Sequence, residues 1–406
     1  MKEKPNVFLW VIDSLRADAV FGSEIATPNL DSLADRGVAF TQCISTTSST
    51  TPSFASILTG RYPPHHGVRA LKGHRLSSEL PTLAEILSSN GYSTYARTTG
   101  PLVPQTGILR GFERLEHHRG EDFMAWRSGV FDLIKTLRAP WFVLLHTWEV
   151  HRPYRAPPDF KRRLGRRGYR GSVQAVDDMS AELIDSLQGS ITFVTGDHGE
   201  EYADTWMGDR VAALSREIRR RGKLTSLAPS LERRFANLAI GHGYTLSEEV
   251  IRVPLLVAGP GIAEAKVASQ VRHVDLLPTI VDLAGLPVPD GANGRSLIPL
   301  LRGESLPEEP AYLETGGVRG EHMIVGARTS KHKLLISPRQ EPRLYRAKGN
   351  GVFDERRSHS REDLDVVQEL RAFIDDVTNA SVDPSSGMTP EEEAVLETQL
   401  RDLGYL

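Results

Sequence analysis

The feature that most limits the folds open to this chain is a recurring short apolar run, followed by a stretch with helical periodicity. The runs are Val7–Ile12, Val38–Thr41, Tyr92–Ala96, Trp141–Leu145, Ile191–Val194 and Leu255–Val257. They lack the regular polar–apolar alternation of a half-solvated strand, so each reads as a strand buried on both faces, as in a parallel sheet covered by helices. The segments between them carry helix punctuation. Thr27-Pro28 offers a cap and a first-turn proline, Leu30, Leu33 and Ala34 share one face, and Gly37 is expected to close that helix. A second helix is expected from about Thr82 to Asn90, stopped by Gly91.

After about Ala311 the rhythm changes. Ala311–Thr315, Met323–Arg328, Lys333–Ser337 and Arg343–Tyr345 read as short strands without intervening helices, followed by a helix over Glu362–Val377. The expected class is therefore α/β: a large, mostly parallel sheet with helices on both faces, plus a small C-terminal antiparallel sheet with a helix. The chain has 406 residues, enough for such a pair. The expected divisions are 1–305 for the α/β part (with an insertion or lid at about 201–240), 306–380 for the small sheet and helix, and 381–406 for a linker and terminal helix.

Composition narrows the function classes. A net charge of −3 gives no global pull toward nucleic acid or an anionic membrane. The single cysteine, Cys43, excludes an internal disulfide framework and a multi-cysteine metal site. The N-terminal apolar run is too short for a signal peptide and ends at Asp13, and no stretch approaches the roughly 20 apolar residues of a membrane span. A cytoplasmic protein with no integral membrane segment is expected, and a homo-oligomer is compatible with the sequence. Two basic stretches, Lys161–Arg170 and Arg210–Arg234, read as solvated excursions or as a basic lid over an anionic substrate.

Reactive side chains sit where open α/β sheets place their ligands, just beyond strand ends and at helix starts. Asp13 follows Val7–Ile12. Thr50-Thr51-Pro52-Ser53 opens a helical run that ends at Thr59-Gly60. Thr195–Glu200 (TGDHGE) follows Ile191–Val194, and His146–His151 follows Trp141–Leu145. Singly, each has a plain structural reading as a cap or a buried hydrogen-bonded pair. Together they supply two carboxylates, an imidazole and a hydroxyl, a set able to complete a divalent-metal site. A metal would lower the pKa of the otherwise inert Thr50 hydroxyl, and a helix N-terminus suits an anionic transferred group.

Asp13-Ser14-Leu15-Arg16-Ala17-Asp18 resembles the opening motif of the sulfatase branch of the alkaline-phosphatase superfamily. Thr51–Val68 resembles its nucleophile segment, Thr195–Glu200 its second metal segment, and His146–Tyr154 its H-x-x-D-P-H-x-P-Y stretch. Gly241–Gly261, Val274–Pro287 and the ending LRDLGYL are similar to later segments of that family. The resemblance implies one divalent ion held by Asp13, Thr50, Asp197 and His198. It also implies that His151 and His242 touch the transferred group or protonate the leaving oxygen. The imidazole of His198, with Ser14 in place of a second aspartate, favours manganese or zinc, with magnesium and calcium as alternatives. Two-metal relatives exist, and His146 and Glu149 are the residues to which a second ion would fall. The family's lysine after Tyr92–Ala96 is missing. Thr99 is nearest by spacing, with Arg97 beside it, so these two and His146 are the expected substrate contacts.

The departures shift the expected reaction. Sulfate-cleaving members carry Cys or Ser two residues before the motif proline, which is oxidised to formylglycine, and Arg two residues after it. Here those positions hold Thr50 and Phe54. Threonine carries a methyl group where the aldehyde hydrogen must be. Without the aldehyde hydrate's second hydroxyl to expel the transferred group, water must attack the covalent ester itself, which is ordinary chemistry at phosphorus and unfavourable at sulfur. A small phosphate monoester, diester or phosphonate ester is the expected substrate, cleaved through a phosphothreonine. The alternatives are a sulfuric ester hydrolase, a transferase passing the group to an alcohol, and a binding protein on a borrowed fold.

Overall fold

The computed structural model describes residues 4–118, 123–154, 168–202, 242–318, 323–338, 340–349, 351–382, 388–403 and 405. Every expected buried run forms a strand of one sheet. Its strands are β1 (Val7–Ile12), β2 (Gly37–Ile44), β3 (Ser93–Thr98), β4 (Arg114–His117), β5 (Trp141–Thr147), β6 (Ile191–Gly196), β7 (Arg252–Ala258), β8 (Ala265–Val267) and β9 (Val271–Arg272). The order is β4-β3-β5-β1-β6-β7-β2-β8, with β9 also on β2. All pairings are parallel except those of β7, which runs against both β6 and β2.

The period of two along β1 shows why these runs carry no polar positions. Val7, Leu9 and Val11 enter the core on one side of the sheet, while Phe8, Trp10 and Ile12 enter the core on the other. None of the six is exposed. Burial of each such side chain is worth about 1.5–3 kcal/mol, so a polar substitution at any of them loses that on one face or the other.

On the first side lies the helix Thr50–Thr59, all ten of whose residues are buried. Phe54, Ile57 and Leu58 join the core beside Leu276, Leu277 and Ile280 of the helix Leu276–Leu283. A left-handed glycine, Gly60 at φ 67°, ends the buried helix. On the second side the helix Gly168–Ser186 packs Val173, Val176 and Met179 into the other core. The helix Leu83–Ser89 opens on a capping box, in which Thr82 accepts from the Glu85 backbone and Glu85 accepts from the Thr82 backbone.

One expectation is corrected. Gly37 does not close the helix Pro28–Asp35 but opens β2. A β-carbon there would stand 2.3 Å from the Val257 carbonyl oxygen of β7, so the glycine serves the close approach of two strands.

The second sheet is antiparallel, β10 (Ala311–Glu314), β11 (Val325–Arg328), β12 (His332–Ser337) and β13 (Gln340–Arg346) in sequence order. The helix Leu364–Asn379 covers it with Leu370, Ile374 and Val377, packed on Tyr312, Ala327, Leu334 and Leu344. A terminal helix, Pro390–Asp402, docks Leu396 and Leu400 on Leu71 and Val103. Most of the expected insertion lies outside the described residues, as do most of the two basic stretches and most of the linker Val382–Met388. Among the described residues no helix is long and apolar enough to cross a membrane.

A buried ionic cluster joins the two sheets. Arg328 of β11 and Lys333 of β12, both without exposure, donate to the two oxygens of Glu248 at 2.9 and 3.0 Å. Glu248 opens the short helix Glu248–Ile251 that leads into β7. Burial alone would raise the Glu248 pKa, but Lys333 and Arg328 outweigh it and bring it down to about 2. Removing Glu248 takes from Arg328 its described carboxylate partner and leaves Lys333 with Glu355, so Glu248→Ala is expected to cost about 3 kcal/mol in urea denaturation. Because the folded-state pKa is depressed, the carboxylate's contribution is complete above the ordinary Glu value. It declines as pH falls toward about 2.

Candidate active site

The site follows from strand register. Ile12 of β1 lies opposite Thr147 of β5 on one side and Gly196 of β6 on the other, so three parallel strands end at one level. Asp13 is the next residue of the first chain, His146 the penultimate of the second, and Asp197-His198 the next two of the third. All four side chains are without exposure. The Asp13 backbone N–H extends the ladder to Thr147 O at 2.9 Å.

At Ser14 the chain turns sharply through φ 60°, a left-handed conformation that costs roughly 1–2 kcal/mol for a residue other than glycine. The turn aims the Ser14 N–H at Asp197 Oδ1, 3.0 Å away, and brings the Ser14 hydroxyl to Asp13 Oδ1 at 2.7 Å. It is held from behind by Tyr169, whose hydroxyl donates to Ser14 O and accepts from Arg16 N, each at 2.9 Å. The end of β6 is fixed similarly. Ser45 and Ser53 both donate to the Asp197 carbonyl oxygen, at 2.7 and 2.6 Å, tying it to β2 and to the buried helix.

Thr50 enters from that helix. Its hydroxyl lies 3.2 Å from Asp13 Oδ2 and 3.3 Å from His198 Nε2. His198 Nδ1 faces the Gly199 carbonyl at 2.8 Å, so the hydrogen belongs on Nδ1 and the Nε2 lone pair points into the site. Asp197 Oδ1 accepts from the Ser14 and His198 backbone N–H groups, while Oδ2 is buried without a hydrogen-bond partner. Ligand atoms of Asp13, Asp197 and His198 lie within 4.8 Å of one another. A divalent cation fits this donor set. It meets the orphaned Asp197 oxygen, the directed imidazole nitrogen and two carboxylates that no lysine or arginine neutralises among their described hydrogen bonds and ion pairs. Burial and the nearby Asp13 charge push the Asp197 pKa up, whereas His151, His146 and His198 hold that of Asp13 down against the effect of burial.

Beside this centre stand His151 and His242, 4.9 Å apart between ring centroids. His151 stacks on Trp148 at 3.8 Å, and its Nδ1 faces the Arg152 carbonyl. Burial brings its pKa down to about 4. His242 lies against the His198 ring at 4.3 Å, with Nδ1 at 3.4 Å from Glu200 Oε2. Burial would lower the His242 pKa, but Glu200 outweighs it and raises it.

Not every expected contact converges here. Thr99 lies one step away, its hydroxyl 3.1 Å from His146 Nδ1, and His146 Nε2 is 3.4 Å from Asp13 Oδ2. Arg97 is not brought to the site. Its guanidinium is held by Glu116, the Tyr95 hydroxyl and the Trp126 carbonyl. Glu149 accepts from the backbone N–H groups of Phe123 and Trp148. Two participants carried no separate sequence signal of their role. Glu200 sits inside the TGDHGE motif, and Tyr405 sits in the ending LRDLGYL, with its hydroxyl 2.8 Å from His151 Nε2.

A model of the Sulfatase family matches residues 5–286, and one described as N-sulphoglucosamine sulphohydrolase, C-terminal, matches 243–345. The Delta 4,5-hexuronate-2-O-sulfatase of Bacteroides thetaiotaomicron is 24% identical over 449 residues, covering 94% of this chain and 90% of that protein. Arylsulfatase A of Homo sapiens is 28% identical over 406 residues, covering 81% and 74%. A phosphonate monoester hydrolase from Silicibacter pomeroyi has the same fold, with a TM-score of 0.70 at 19% identity over 96% of this chain and 98% of that one.

The geometry makes the ligand set testable without any substrate. Asp197→Asn and His198→Ala are each expected to weaken manganese or zinc binding by at least about 10-fold, read by elemental analysis after gel filtration. Circular dichroism should show the fold retained.

Proposed function

The chain belongs to the sulfatase family, and on that premise we propose that it hydrolyses a small phosphate or phosphonate ester through a covalent phosphothreonine at Thr50. The observation that carries this reading is the Thr50 hydroxyl itself, set between Asp13 and His198 at the start of a helix whose cap residue, Ser49, gives no side-chain hydrogen bond. The N–H groups of Thr50 and Thr51 are thus left for an anion's oxygens, Pro52 having none. The hydroxyls of Ser48 and Thr51, either side of that pair, are buried without hydrogen-bond partners and add polar capacity there.

Asp13, Asp197 and His198 would hold one divalent ion, manganese or zinc by the presence of an imidazole. When bound, it would lower the pKa of the Thr50 hydroxyl and offset the charge of the transferred group. Thr50 Oγ1, its proton already lost to solvent, attacks phosphorus as an alkoxide while the P–O bond to the leaving alcohol breaks, and the same alkoxide is released when the phosphothreonine is hydrolysed. His242, with Nδ1 directed at Glu200, presents Nε2–H to the leaving oxygen and gives it the proton. In the second half, water attacks the phosphothreonine, its proton returns to His242, and the P–O bond to Thr50 breaks. His151 offers its Nε2 lone pair to a hydroxyl near the same group.

The relatives named as sulfatases favour a second reading, sulfuric ester hydrolysis. Two observations weigh against it. Thr50 cannot become formylglycine, and Cys43 is buried in β2, where burial raises its thiol pKa well above the ordinary value. A panel of nitrophenyl phosphate, its diester, a nitrophenyl phosphonate and nitrophenyl sulfate, assayed with manganese or zinc, separates the readings. A phosphorus ester is expected to exceed the sulfate by at least about 100-fold in kcat/KM, and Thr50→Ala to lose roughly 1000-fold or more. Sulfate release at an equal or greater rate, or an unimpaired Thr50→Ala enzyme, would overturn the proposal.

A further inference from the structure

We infer that the hydroxyl of Tyr405, the penultimate residue of the sequence, is a built-in part of the active site that fixes His151 and His242 relative to each other. The inference rests on the reading of these two histidines as the groups facing the leaving oxygen.

The phenol oxygen is 2.8 Å from His151 Nε2 and 3.2 Å from His242 Nε2, the only described side-chain hydroxyl hydrogen-bonded to both rings. These bonds have a definite polarity when His151 is neutral. Its Nδ1 faces a carbonyl oxygen, so that nitrogen carries the single ring hydrogen and Nε2 accepts. Tyr405 has one O–H, and it goes to His151. The phenol oxygen then has only lone pairs left for His242, which must donate through Nε2. That is the same nitrogen and the same protonation required of an acid that serves a leaving oxygen. One hydroxyl therefore selects the working ring state at both histidines and sets the angle between them.

The tyrosine is held there by packing, not left as a loose end. Its backbone N–H donates to Leu400 O at 2.8 Å, and its ring rests on the apolar cluster of Leu71, Val103, Met388, Leu396 and Leu400. The preceding helix opens on the capping box of Thr389 and Glu392 and is tied by Arg75 to Glu392 at 2.9 Å and by Gln399 to the Gly100 carbonyl at 3.1 Å. Gly100 lies against Trp148, the ring on which His151 stacks, with room there for no β-carbon. The terminal helix and the histidine thus share one support, which suits a positioning residue.

Tyr405→Phe removes the hydroxyl and leaves the ring. With whichever ester the substrate panel identifies, it is expected to lower kcat by about 10- to 100-fold with KM nearly unchanged, and to do so more for alkyl than for nitrophenyl leaving groups. A merely structural role would lower both leaving-group classes alike. Deletion of residues 404–406 should match the Phe variant. In the same proteins, with and without manganese or zinc, nitrogen-15 NMR should show the His151 Nε2 resonance shifted by loss of its hydrogen bond. Higher kcat/KM on deletion would overturn the inference by marking Tyr405 as a plug, and so would an unchanged leaving-group dependence or an unmoved His151 resonance. If sulfate proves to be the ester cleaved, the phosphoester reading fails while this test stands. If no ester is turned over, the NMR measurement alone decides.

Discussion

Two buried carboxylates, Asp13 and Asp197, face each other from the ends of adjacent strands, with oxygens within 4.8 Å. At an effective dielectric constant near 20, two full charges at that separation repel by about 3.5 kcal/mol. Backbone N–H groups and hydroxyls partly satisfy them, but no described lysine or arginine pairs with either. Asp13 and Asp197 add to Glu200 in raising the His242 pKa against burial, and Asp197 itself is pushed toward its neutral form. A cation between the two carboxylates and His198 removes the conflict in one step. The cost of assembling the site is thus met when a metal binds.

The opposition of charges is a product of sheet geometry. Parallel pairing in register brings the ends of β1, β5 and β6 to a common edge, and the left-handed turn at Ser14 stops the chain from running on past it. The strained turn is useful because its N–H reaches Asp197, so the backbone of one strand end orients the side chain of the next. The buried helix Thr50–Thr59 then inserts its first hydroxyl into the gap. A helix buried on all sides has no surface role, and here it acts as a rigid mount whose position the core determines.

Much of the architecture was legible because strands buried on both faces leave little ambiguity. The edges of the pattern were harder to read. β4 is half-exposed and β8 and β9 are very short, and none of the three stands out as an apolar run. The reversal of β7 depends on what surrounds it, since its residues, RVPLLVA, suit either direction. Gly37 reads as a helix stop because glycine often is one, while its purpose here lies in a contact with a strand over 200 residues away. In the site, residues next to a strand end or helix start could be placed from sequence, and Asp13, Thr50, Asp197 and His198 do meet. Arg97 and Glu149 could not be placed, because alternation along a strand and the needs of a nearby helix start turn them to other partners. Tyr405 is brought in by the terminal helix, a placement that no local spacing encodes.

The proposed reaction turns on a covalent bond at one oxygen, Thr50 Oγ1. Its most direct test is acid quenching during turnover of a phosphorus ester with manganese or zinc, followed by peptide mass spectrometry. The expected result is a phosphate, or the matching phosphonate, on the peptide carrying Thr50, formed during turnover and lost as substrate is exhausted. Steady turnover with Thr50 unmodified, or a modification on another residue, would rule out a phosphothreonine intermediate.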